Sequence, residues 1–100
     1  MQRFLIEHGH DPDPFICAQV VEAFLRTGSH YLTHADWGCT DGDHTAWMIV
    51  EARDRDEARG IVPAPFRSRA RVVKLSQFTL ESLQEAMRHH VLPGRGAAST

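Results

Sequence analysis

Cysteine is scarce in this sequence. Cys17 and Cys39 are the only two among 100 residues, too few for a disulfide framework. Reduced thiols and a cytoplasmic setting follow as the expectation. Long apolar runs are missing as well, and no stretch approaches the ~20 residues of a helical membrane span. The opening "MQRFLIEHGH" lacks the basic region, apolar core and small-residue cleavage site of a secretory signal. There is also no excess of one charge. Lys and Arg number 11 against 13 Asp and Glu, for a net charge of -2. Both signs are interspersed, so nucleic acid and anionic membrane surfaces are not expected partners.

What is present suits one small folded domain. A chain of 100 residues sits near the commonest domain size and leaves no room for two cores. A hydrophobic fraction of 42% allows a packed core, although so small a domain buries a limited share of its surface. Residues 1–92 read as one α+β domain. The tail "PGRGAAST" (93–100) has no periodicity and reads as flexible.

Local signals place the segments. "RFLIEH" (3–8) is rich in strand formers, and "GHDPDP" follows as a loop. Asp13 then Pro14 opens a helix over 14–27, with an acceptor at the N-cap and proline at the first helical position. Cys17, Val20, Val21, Phe24 and Leu25 recur at helical spacing, and Gly28 suits a left-handed end. "SHYLTHADW" (29–37) and "HTAWMIVEA" (44–52) read as two strands joined by a type I′ turn at Asp41-Gly42. Asp54 starts a short helix that "PAPF" breaks, "ARVVKL" (70–75) is a fourth strand, and Thr79 caps a last helix carrying Leu80, Leu83 and Met87 on one stripe. The order β-α-β-β-α-β plus a helix is the split βαβ, ferredoxin-like arrangement, with a four-stranded antiparallel sheet.

Side chains alternate along a strand, so register decides what can meet. The turn at Asp41-Gly42 would pair Thr40 with Asp43, Cys39 with His44, Trp37 with Ala46 and Ala35 with Met48. The helix-covered face then carries Tyr31, Thr33, Ala35, Trp37 and Cys39 beside His44, Ala46, Met48, Val50 and Ala52. The opposite face carries His30, Leu32, His34 and Asp36 beside Thr45, Trp47, Ile49 and Glu51. On strand one, Phe4 and Ile6 go to the core, and Arg3, Leu5 and Glu7 go opposite. On strand four, Val73 and Leu75 go to the core, and Val72 and Lys74 go opposite. So many large apolar side chains on a solvent face predict a cover. A second copy of the same sheet is the expected one, making a homodimer.

With these features the sequence resembles the dimeric α+β barrel superfamily. The carriers are the strand order, the strands around "GCTDGD", the run "VEARDRDEARGIVPAPFRSRARVVKL" and the mixed sheet face. That run is similar to the strand, short helix and closing strand of small muconolactone-isomerase-like members. The resemblance covers about residues 2–90. It implies ferredoxin-like subunits packed sheet to sheet around a small cavity, and it carries over no catalytic residue.

Three functional readings follow. In the first, the homodimer binds a small organic molecule in the cavity, with Glu7, Trp47, Ile49 and Lys74 as lining. His34, two positions from Asp36 on one strand, would then transfer protons in a cofactor-independent, isomerase-like reaction. Whether the chain is an enzyme stays open. The second reading is a structural or interaction module whose mixed face only makes the dimer. The third is a metal protein using His34, Cys39 and His44, with Asp36 or Asp41 as a fourth ligand. Strand parity puts His34 and Cys39 on opposite faces, so no metal or cofactor is favoured. Cys17 reads as inert core, and His8 and His10 as solvated histidines flanking Gly9. Arg67, Arg69 and Arg71 read as a solvated edge.

Overall fold

A computed structural model describes residues 1–89, and the expected flexible tail (93–100) lies outside them. The chain runs β1 (Gln2–Gly9), α1 (Pro14–Arg26), α2 (His30–Thr33), β2 (Asp36–Trp37), β3 (Thr45–Ala52), α3 (Arg55–Gly60), β4 (Ala70–Leu75) and α4 (Leu80–Arg88). Among the described residues the strands form a four-stranded sheet in the order β2-β3-β1-β4, every neighbouring pair antiparallel. The protein is therefore α+β.

The helix starts follow local chemistry. The Asp13 carboxylate accepts from the backbone N–H of Phe15 and Ile16 at the head of α1, with Pro14 next to it. Asp54 accepts from Glu57 N at 2.8 Å to start α3. Thr79 and Ser82 form a reciprocal capping box at α4. Gly28 has φ +70°, a left-handed conformation open to glycine at no steric cost.

β1 and β3 pair along eight residues each, with Phe4 opposite Val50, Ile6 opposite Met48 and His8 opposite Ala46. These alternate positions bury against Val20 and Phe24 of α1, Leu32 of α2 and Ala58 of α3, and so form the core. Trp37 pairs with Ala46, as the sequence predicts, and leans on the Phe24 ring at 5.2 Å. Trp47 points to the other face, where its Nε1 donates to Glu7 Oε2 at 3.0 Å.

Three expectations are overturned. Residues 30–33 form the one-turn helix α2 instead of a strand, and Leu32 turns into the core instead of onto the open face. Ser29 Oγ accepts from Leu32 N, and the Thr33 hydroxyl donates to Ser29 O at 2.8 Å. These local bonds outweigh β propensity, which is only a packing preference. No two-residue type I′ turn forms at Asp41-Gly42. The hairpin closes through Gly38 N to Thr45 O at 3.0 Å, leaving a loop over 38–44 that holds a 3-10 turn at Cys39–Asp41. Cys39 and His44 are therefore not strand partners, and neither are Thr40 and Asp43.

The third correction concerns β4, whose phase is opposite to that expected. Val72 pairs with Ile6 and Ala70 with His8, so these two bury, while Val73 stands beside Leu5 on the open face. Lys74 pairs with Phe4 and takes helix-side parity. The buried Ala70 sets this phase; the expected one would have put Arg71 inside. In α1, Leu25 is exposed and only Val20 and Phe24 are fully buried.

Arg67 has a structural role. Its guanidinium donates to Val62 O at 2.7 Å and Gly60 O at 3.0 Å, satisfying carbonyls at the end of α3. Gly38 is pinned by contact. A Cβ there would lie 2.6 Å from Asp43 O and 3.0 Å from the Trp47 ring. Gly38→Ala is expected to cost about 1–3 kcal/mol, read as a lower urea midpoint. An unchanged midpoint would mean that loop 38–44 yields freely.

Candidate metal centre

The β1–β3 ladder does not stop at its last assigned pair, Gly9 with Thr45. His10 N donates to His44 O at 2.9 Å, so His10 and His44 face each other one step further on. With a side-chain period of two, Phe4, Ile6, His8 and His10 share the helix-covered side. His10 is accordingly only 6% exposed. The helix α1 lies over this end of the sheet. Cys17 stands three positions before Val20 and seven before Phe24, on the stripe that faces the strands. Loop 38–44 closes the remaining side and carries Cys39 on its 3-10 turn.

His10, Cys17, Cys39 and His44 thus converge, and their donor atoms all lie within 4.8 Å of one another. His10 Nε2 is 3.3 Å from Cys17 Sγ and 3.4 Å from Cys39 Sγ. In a tetrahedral zinc site, bond lengths of about 2.3 Å to sulfur and 2.0–2.1 Å to nitrogen set sulfur–nitrogen edges of about 3.5 Å. The observed spacings are close to that. A neutral imidazole nitrogen has one proton or one lone pair, so it satisfies one thiol properly and not two. One cation between the atoms would satisfy all of them. Trp37 covers the site, its ring 5.8 Å from His10, and the His10 and His44 rings meet edge-on at 5.7 Å.

Electrostatics within the cluster fit a neutral His10 imidazole. Burial, with His44 nearby, holds the His10 pKa below its ordinary value. Burial first, then His10 and Arg69, does the same for His8. Burial and the adjoining Cys17 thiol push Cys39 up; a bound cation opposes that shift by favouring the thiolate. The Nδ1 atoms of His10 and His44, and both ring nitrogens of His8, are buried and have no hydrogen-bond partner among the described residues. His8 sits between Phe24 at 5.5 Å and Phe66 at 5.7 Å, stacked on His10 at 6.1 Å.

The other expected site residues lie elsewhere. His34 ends α2, and its Nδ1 lies 2.8 Å from His30 O, so it does not join Cys39 and His44. His34 and Asp36 instead line an open cleft of about 260 Å³ with His30, Tyr31, Met48 and Ile49. Glu7 and Trp47 are bonded to each other, and Glu7 pairs with Arg71 at 3.5 Å. Lys74 is separated from them by strand parity. Of the sequence-derived metal set, Cys39 and His44 are in the cluster and His34 is not; His10 and Cys17 are additions. Their signal was in the sequence: His8 and His10 continue the alternation of Phe4 and Ile6, and Cys17 precedes Val20 and Phe24 on one helical stripe.

No protein-family model, curated protein or solved structure matches this chain.

The neutral histidines give stability a definite pH dependence. The unfolded chain binds protons at about pH 6.5, and the folded one only lower. Stability is thus complete above that value and is lost as the pH falls below it. Metal-stripped protein should hold its thermal midpoint from about pH 8 to 7 and lose it progressively below about 6.5. His8→Leu should make the loss shallower. A midpoint as high at about pH 5.5 as at 7.5 contradicts this account.

Proposed function

We propose that this chain is a zinc-binding protein with a closed Cys2His2 centre formed by His10, Cys17, Cys39 and His44. The observation that carries the reading is the convergence of four ligand atoms within 4.8 Å of one another from three separate segments, the end of β1, α1 and loop 38–44. Two thiolates and two imidazoles suit zinc, and four protein ligands leave no open position for a substrate. The role is structural. The ion ties the end of β1, the first turns of α1 and loop 38–44 together. In a domain this small such a tie supplements a limited core.

The purified protein should contain one zinc per chain by elemental analysis. Cobalt substitution should give the visible absorption of a tetrahedral thiolate site. Zinc should raise the thermal midpoint by mass action. His10→Gln and Cys17→Ser should each weaken zinc binding by more than the ~10–100-fold typical of losing an outer-shell partner. Protein that neither contains zinc nor competes for it with a chromogenic chelator would refute the reading.

A second reading concerns the opposite face and the ferredoxin-like resemblance. The strand order β2-β3-β1-β4 supports a ferredoxin-like subunit. The open face presents Leu5, Trp47, Ile49 and Val73 around the Glu7–Arg71 pair, with Ile49 53% exposed. A second copy of that face is the cover we propose, giving a homodimer of dimeric α+β barrel type. The cleft at His34 and Asp36 falls short of the ~300–1,000 Å³ of an ordinary ligand pocket, so a small organic ligand would need the partner to enclose it. Light scattering should report a dimer that Ile49→Asp splits. In the ligand-bound case, His34→Ala should abolish binding of the co-purifying molecule seen by native mass spectrometry. A monomer at all concentrations, or full ligand retention by His34→Ala, goes against this reading.

A further inference from the structure

We infer that Cys17 and Cys39 are a peroxide-responsive dithiol pair whose oxidation to a disulfide releases the metal. This inference rests on the zinc-centre reading. Both cysteines of the chain stand in the one cluster, although 21 residues separate them in sequence. Their sulfurs are no more than 4.8 Å apart, and a disulfide needs about 2.05 Å. The approach required is below about 3 Å, within reach of side-chain rotation and a shift of the short turn that carries Cys39. Cys17 is held more firmly, its backbone N–H bonded to Asp13 O at 2.8 Å in the first turns of α1. Both cysteines are half-buried, whereas His10 is buried. The cysteines, like His44, are thus within reach of a small oxidant.

The chemistry balances with hydrogen peroxide as oxidant. One thiolate attacks the peroxide; a sulfur–oxygen bond forms, the oxygen–oxygen bond breaks, and the departing hydroxide takes a proton to become water. The second thiolate then attacks the sulfenic sulfur. A sulfur–sulfur bond forms, the sulfur–oxygen bond breaks, and a second hydroxide leaves and is protonated. Two thiolates, one peroxide and two protons become one disulfide and two waters, with two electrons passing from sulfur to oxygen. The disulfide sulfurs are no longer anionic donors. His10 and His44 alone do not hold the ion, and zinc leaves. The covalent link then joins the same two segments that zinc joined, α1 and loop 38–44, so the fold persists and a dithiol reductant reverses the change.

The test uses the full zinc-loaded chain with hydrogen peroxide, a chromogenic zinc chelator and mass spectrometry. Expected are release of the bound zinc, loss of two hydrogens in mass, and a Cys17–Cys39 cross-linked peptide. Reductant plus zinc should restore the starting state. The oxidised, zinc-free protein should melt above the reduced, zinc-free protein. Cys17→Ser, oxidised in the same way, should give no intramolecular cross-link. Retained zinc, release accompanied by sulfinic acids, or disulfides between chains would overturn the inference. Metal content before oxidation separates the two claims. A chain that never holds zinc sinks the centre itself, while cross-linking of the metal-free chain by peroxide still decides whether the thiols form a pair.

Discussion

The antiparallel register between β1 and β3 is the constraint on which the rest depends. Setting Phe4 against Val50 and Ile6 against Met48 sends one row of side chains under the helices and the other row outward. Continued by the His10–His44 backbone bond, the same alternation delivers two imidazoles to one end of the covered face. A shift by one residue would move the core row and both histidines to the opposite side together. Core and centre are thus products of a single pairing.

The thiols arrive by different routes. Cys17 comes with the packing of α1, because the stripe that buries Val20 and Phe24 also carries Cys17 one turn earlier. Cys39 comes with the loop. The early closure at Gly38, whose N–H bonds Thr45 O and whose carbonyl accepts from Asp41 and Asp43, folds residues 39–41 back over the sheet end. The contact of Gly38 with Asp43 and the Trp47 ring leaves no room for a side chain at that corner.

The two sheet faces divide the chemistry. The covered side holds apolar groups with the neutral His8 and His10, His8 wedged between aromatic rings. The open side holds Glu7, Trp47 and Arg71 in mutual contact among apolar neighbours. Charged groups there keep their access to water, while burial on the covered side favours the neutral forms of His8 and His10. The apolar stripe of α4, with Leu80 and Met87 exposed, adds to the uncovered surface.

Much of this was legible along the chain because it is local. Asp13-Pro14, Asp54, Gly28 and Thr79 mark helix boundaries by capping and backbone preference, and the alternation in "RFLIEH" and "HTAWMIVEA" gives the core face of β1 and β3. The α+β class and the outward Trp47 follow from those signals. Residues 30–33 misled because aromatic and β-branched content does not specify a strand when Ser29 and Thr33 can close a helical turn. The phase of β4 was ambiguous at Val72 and Val73, which are alike; the deciding pair is Ala70 and Arg71, since the buried place opposite His8 takes the alanine. The centre was half legible: Cys39 and His44 lie close in sequence, but His10 and Cys17 join them only when β1, α1 and loop 38–44 meet. Periodicity says which way a side chain points, and only the packed chain says what waits there.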